Sequence, residues 1–324
     1  MQNKKALEFS FAWIFAIFIG AVIIFLAIYA ATRIVGTEQT KIDAETAKQI
    51  GILLNPLETV LEEGKTSTIF VNKETKIFNS CREQGVYGVQ EIGASVSTAI
   101  SDDSSNPGIK SSFRNKYLFS SSVSEGKKEF YVFSKPFNFP FKIADLMILY
   151  SDQEKYCFVN SPAEIKEEIN KSLKLKNIFF INNIRNCQAN TKKVCFNTDY
   201  EECDIIVSQS LNKVIRGGDE VYYVELEQTD KYALLYAAIF SEPKIYKCQL
   251  KRLMSRAAIL AELYTKKITH LSFEGCPSAP LLFDYIGSYK RFAELFSGPE
   301  DLENIKEKAE LLSSKNAPLT CRLF

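Results

Sequence analysis

The chain has 324 residues, with 40 Lys and Arg against 39 Asp and Glu, a net charge of +1, and eight cysteines. That balance, without a basic run, argues against nucleic acid as a partner, and a single histidine, His270, removes most chemistry that needs an imidazole base. The length is ample for more than one packed unit beyond any membrane segment.

Phe9 to Thr32 is uncharged and strongly apolar. As a helix rising 1.5 Å per residue it spans roughly 36 Å, enough to cross a hydrocarbon core of about 30 Å with some tilt. We expect a single-pass anchor over residues 1–35 with membrane lipid as its partner. Lys4 and Lys5 also suit a cleaved signal, but such signals have apolar runs of about 7 to 15 residues, and Ile28 with Ala30 is a poor cleavage pair. Cations flank the run almost evenly, with Arg33 and Lys41 interleaved among Glu38, Asp43 and Glu45, so the positive-inside rule tips only slightly toward a cytoplasmic amino terminus. Ala12, Ala16 and Gly20, and again Ala27 and Ala31, recur every four residues, a spacing that lets membrane helices approach closely.

Lys4 to Phe9 reads KKALEF and runs straight into the apolar segment. This resembles the class III signal peptide of archaeal type IV pilins. The resemblance implies that Glu8 offsets the amino terminus of a neighbouring subunit and that the helix packs against copies of itself. The match is incomplete at the family's cleavage point, where the flanking glutamine is missing. Read by itself, Glu8 is a carboxylate in a first helical turn, favoured there by the helix dipole. Further on, KYCFVNSPAEI and YAAIFSEPKIYKCQLKRLM resemble, more loosely, single-pass surface proteins of archaea, which implies a location and no reaction.

Residues 36–64 read as a helical stalk, with Ile50, Leu53, Leu54, Leu57 and Leu61 on one face. Asn55, Pro56 and Glu58 suggest a kink or restart before Gly64. Such a stalk either lies on the following sheet, as in a pilin-like arrangement, or makes a coiled-coil contact with a partner. Residues 65–150 look like an antiparallel β module, with TSTIFV, KIFNS, VYGVQEIGASVSTAI, NKYLFSSS and KEFYVFS as strands. Asp102 and Asp103, in the polar loop from Ser101 to Ser112, read as a solvated pair rather than a calcium or acid–base site.

The rhythm changes from ADLMILY onward, and residues 151–324 read as a second module. ADLMILY, YCFVN and NIFFIN read as strands, with a helix between the last two opened by a capping box at Ser161, Pro162 and Glu164 and burying Ile165, Ile169 and Leu173. No glycine-rich phosphate turn joins strand to helix. VCFN, CDIIVS and EVYYVELE fit further strands, the last after a turn from Arg216 to Asp219. Ser241 and Pro243 open the longest soluble helix, from about Lys244 to Leu271. Leu250, Leu253, Ala257, Leu260, Ala261, Tyr264, Ile268 and Leu271 form its inner face, and Lys247, Lys251, Arg252, Arg256, Lys266 and Lys267 its solvated side. LLFDYIGSYKRFAELF and PEDLENIKEKAELL form a helical cap. The expected class is α+β: anchor and stalk, antiparallel β module, then a small α/β layer with C-terminal helices.

The cysteines are Cys81, Cys157, Cys187, Cys195, Cys203, Cys248, Cys276 and Cys321; the closest are separated by seven residues, so no C-x-x-C metal pair exists. An even set absent from the membrane run reads as disulfides in an oxidising, extracytoplasmic space, the alternative being buried thiols in the cytosol. Helix rise keeps Cys248 from Cys276, leaving Cys276 with Cys321 as the natural bridge and Cys248 directed to the region of Cys187 to Cys203. The other pairings stay open. Asn170-Lys171-Ser172 is an N-glycosylation sequon, and Glu201, Glu202 and Asp204 read as a turn. No catalytic residue, cofactor site or metal site is assigned. The expected role is an envelope scaffold, anchored in the cell membrane with its body outside and partnered by itself or other envelope proteins. The alternative is an anchored hydrolase or transferase working through carboxylates, which requires a concave pair of acids.

Overall fold

A computed structural model describes residues 11–54, 66–97, 109–198, 201–226, 231–276 and 279–324. Glu8, the kink at Asn55 and Pro56, Leu57, Leu61, Gly64, Asp102 and Asp103 lie outside the described residues. Helix α1 (Phe11–Leu53) runs unbroken from the apolar segment into the stalk. The fold is α+β: apolar amino-terminal helix, antiparallel sheets and carboxyl-terminal helices.

Among the described residues the strands form three sheets. The first has the order β1 (Thr66–Phe70), β7 (Glu129–Asn138), β8 (Lys142–Ser151), β5 (Leu118–Phe119). It is antiparallel except where β5 runs parallel to β8. The second, wholly antiparallel, has the order β4 (Ser111–Phe113), β3 (Val89–Val96), β2 (Thr75–Arg82), β6 (Val123–Gly126). In the third, β10 (Ile178–Ile181), β9 (Tyr156–Val159), β11 (Lys192–Phe196) and β12 (Ile205–Ser208) are parallel, and β13 (Lys213–Arg216) and β14 (Asp219–Tyr222) continue antiparallel.

Strand β8 explains its own sequence. Leu146, Ile148 and Tyr150 point into one core, Met147 and Leu149 into another, and all five are fully buried. A strand covered on both faces reads as a continuous apolar run, whereas a half-exposed strand alternates. The first core also takes in the third sheet, so residues on both sides of position 150 share it. The second joins the first two sheets to the stalk.

Between β9 and β10, helix α2 (Ala163–Glu167) continues as a π-wound turn (Glu168–Ser172) and buries Ile165, Ile169 and Leu173 as their spacing predicts. The predicted capping box does not form. Pro162 is the cap and no side chain caps the helix, because Glu164 pairs instead with Lys231 at 3.0 Å and accepts from the Tyr232 hydroxyl. Helix α3 (Ala233–Phe240) and strand β13 escape the sequence reading. All eight residues of α3 are buried, so it has no polar face and no helical period to reveal it. Phe133, Tyr150 and Tyr156 pack on its Phe240. Of the predicted strand EVYYVELE, β14 takes in residues 220–222, and Tyr223, Val224 and Leu226 are buried beyond it.

Helix α4 (Pro243–Phe273) follows the expected inner face, with Leu250, Leu253, Ala257, Ala261 and Ile268 fully buried. One assignment on its polar side is overturned: Arg252 is 1% exposed. Helices α5 (Phe283–Glu294) and α6 (Leu302–Asn316) complete the cap. The disulfides join Cys276 to Cys321, Cys157 to Cys187, Cys195 to Cys203, and Cys81 to Cys248. The last corrects the expectation for Cys248, because α4 lays its first turns against β2 and the bond crosses 167 positions that no local spacing reveals.

Candidate functional site

The part of α1 from Phe11 to Ile34 is long and apolar enough to cross a membrane, and none of its residues is buried in the body. Trp13 and Tyr29 stand near its two ends, as amphipathic rings do at membrane surfaces, and the Arg33 guanidinium lies 5.8 Å from the Tyr29 ring centroid. The hydroxyls of Thr32 and Thr37 donate back to the Tyr29 and Arg33 carbonyls at 2.9 Å, which satisfies them within the helix. Ala12 and Ala16 are exposed, and a Cβ placed on Gly20 meets nothing within 4 Å. The small-residue stripe is therefore open along its length.

Asp43, about 14 Å further along the helix than Ile34, is a buried side chain. Asp43 accepts the Val96 amide at 3.0 Å, which gives the end of β3 a charged acceptor. Ala47, Ile50 and Leu54 then enter the second core. Gly51 sits under the Phe113 ring so closely that an added Cβ would stand 2.0 Å from it. The stalk thus lies on the sheets of its own chain, the first of the two expected arrangements. No break separates the exposed apolar turns of α1 from the docked ones.

A buried polar chain ties α4 to the second sheet. Arg252 donates to the carbonyls of Tyr87 at 3.0 Å, Lys116 at 2.9 Å and Arg114 at 3.1 Å, and to Gln249 Oε1 at 2.6 Å. Gln249 donates to Gln90, Gln90 to Asn79, and Asn79 to Ser120 Oγ at 2.8 Å. The guanidinium also lies 4.7 Å from the Tyr117 ring centroid. Burial pushes its pKa down to about 10, so it is still a cation at neutral pH. A guanidinium can spread such bonds over several acceptors at fixed angles. The sequence hides this role, since an arginine on a helix beside lysines looks solvated.

Among the described residues Glu74 and Glu125 share a side-chain hydrogen bond at the surface, which raises the Glu74 pKa, and two further groups of acids lie against the cap and the helices. Glu164 and Glu168, on α2 and its π turn, face Tyr232 and Tyr236 at the start of α3. The Tyr236 hydroxyl and the buried Lys135 each donate to Glu168 at 2.5 Å. Through these bonds Glu164 and Glu168 link α2 to α3, and Glu168 also links it to β7. The second group lies at a cavity of about 190 Å³ between α6 and the loop after β7, lined by Glu225, Glu310, Lys306, Asn138 and Ser313. Lys306 approaches Glu310 at 3.7 Å, and Lys231 approaches Glu225 at 3.6 Å. His270 is exposed near the end of α4. Glu202 and Asp204 close a turn, with Asp204 accepting the Lys193 amide at 2.7 Å. Among the described residues no three His, Cys, Asp or Glu side chains converge as a metal site.

Comparison with protein families, with characterised proteins and with solved structures finds no match.

Proposed function

We propose that this protein is a scaffold or interaction protein of the cell envelope, held by α1 with its amino terminus in the cytoplasm and its disulfide-tied body outside. The observation that carries the reading is the continuity of α1. A helix whose first half is bare and apolar and whose last turns are core of the folded body suits a device that presents a rigid surface at a fixed height above lipid. Four disulfides fit an oxidising exterior. The open stripe of Ala12, Ala16 and Gly20 supports association with a second copy or another anchored helix, in the manner of pilin-like assembly. Protease added to sealed cells, followed by thiol mapping of the membrane fraction, tests the topology. We expect the body to be shaved and to carry no free thiol. A body left intact while an exterior marker is removed rejects the reading.

One observation favours a second reading, an anchored hydrolase or transferase: the cavity at α6 has two carboxylates, Glu225 and Glu310, in one concave wall. Its volume of about 190 Å³ is below the roughly 300 Å³ of ordinary ligand pockets. Both acids also have a lysine beside them. The scaffold is therefore preferred. A hydrolytic activity on envelope polymers that is lost in both Glu225→Gln and Glu310→Gln would reverse that preference.

A further inference from the structure

Among the described strands, β10 is outermost in the third sheet and pairs with β9 alone. Phe179 on this strand is 38% exposed, and a groove of about 390 Å³ lies along it, lined among others by Lys166, Asn170, Phe179 and Asn186. An open edge with an apolar side chain invites strand pairing between copies, and folded proteins cover or charge such edges. Asn170 stands on the rim of this groove. It belongs to Asn170-Lys171-Ser172, the one Asn-x-Ser/Thr triplet in the chain, and all three residues are exposed. The triplet occupies the last turn before Lys174, whose φ is +50°. That turn is π-wound, closed by the Leu173 amide donating to the Glu168 carbonyl at 2.9 Å, and terminal turns of this kind open readily.

We propose that Asn170 is an N-glycan acceptor and that its glycan shields the β10 edge. The inference rests on the body being outside the membrane, where glycans are attached. The donor class is an oligosaccharide carried on a polyprenyl phosphate or diphosphate. The Asn170 amide nitrogen attacks the anomeric carbon; the new C–N bond forms as the sugar's C–O bond to phosphate breaks. The lipid phosphate leaves with the bonding electrons, and a base of the transferring enzyme takes the amide proton. A bulky hydrated chain rooted on the groove rim then keeps a second strand from reaching β10.

The test is peptide mass spectrometry on full-length protein purified from its native membranes, with thiols mapped in the same sample. We expect the Asn170 peptide to carry a glycan mass that disappears in Asn170→Gln and Ser172→Ala and persists in Ser172→Thr. In mild detergent Asn170→Gln should form larger assemblies than the parent, and adding Phe179→Lys should reverse this. An unmodified Asn170 peptide in protein whose disulfides are intact and whose body is shaved by external protease overturns the glycan and leaves the topology standing. Free thiols with a protected body overturn both. Glycosylated parent and Asn170→Gln with the same assembly state overturn the shielding role.

Discussion

Gln249 and Arg252 stand one turn apart on α4, and the bond between them, Arg252 Nη1 to Gln249 Oε1 at 2.6 Å, turns the Gln249 amide toward Gln90 on the second sheet. Replacing Arg252 with Met leaves the carbonyls of Tyr87, Lys116 and Arg114 without their donor. The Lys116 carbonyl and Gln249 Oε1 are the fully buried acceptors among its partners, and at about 1 to 3 kcal/mol for each buried group left unsatisfied the loss should reach at least about 2 kcal/mol. Arg252→Lys should recover little, because an ammonium cannot span the same acceptors. Denaturant unfolding of the detergent-solubilised chain checks both.

Disulfide mapping should return Cys81 with Cys248, Cys157 with Cys187, Cys195 with Cys203 and Cys276 with Cys321. The bonds should also rank by the chain they close. Removing Cys81–Cys248, with its separation of 167, should cost roughly 5 kcal/mol in the chain-entropy view, against roughly 2.5 kcal/mol for Cys195–Cys203, with a separation of 8. Melting of the two paired Cys→Ser variants reads the ranking.

Gly51→Ala should loosen the stalk. Its Cβ would meet the Phe113 ring at 2.0 Å, an overpacking that typically costs about 1 to 3 kcal/mol. Phe113→Leu in the same chain should restore part of that loss. Amide exchange across residues 43–54 should rise in Gly51→Ala and fall back in the double variant.

Gly20→Ile should leave the melting of the body unchanged, since a side chain at Gly20 meets nothing within the chain. Cross-linking between copies in native membranes should fall. Unchanged cross-linking would remove self-association through this face.

Acid should weaken the body in a defined window. The Tyr232 hydroxyl bonded to Glu164, with Lys231 beside it, holds that carboxyl below its ordinary 4.5, and the Tyr131 hydroxyl does the same for Glu129. A depressed folded-state pKa stabilises above the unfolded value and is lost as pH falls through the folded one. Melting temperature should therefore not change through these two groups between pH 7 and about 5, and should drop below about 4.5. Glu164→Gln should make the drop shallower.

Much of this architecture is legible where one element buries one face. Ile165, Ile169 and Leu173 in α2 and its turn, Ile50 and Leu54 in the stalk, and the inner face of α4 are buried as their spacing predicts, because a helix half in water must alternate its chemistry every three to four residues. Helix α3 gives no such signal, being covered on all sides. The small-residue stripe of the anchor is legible as a pattern. The cavity holding Glu225 and Glu310 is not, since its walls come from segments some 80 residues apart.

The amino-acid sequence by itself determines the apolar run, the docking face of the stalk, the α+β class and the bridge from Cys276 to Cys321, because each follows from local period, length or helix rise. Only the tertiary structure decided that Cys81 meets Cys248, that Arg252 is buried among carbonyls, and that Asn170 stands beside an open strand. Those are meetings between distant segments, set by how sheets and helices pack and written in no local spacing.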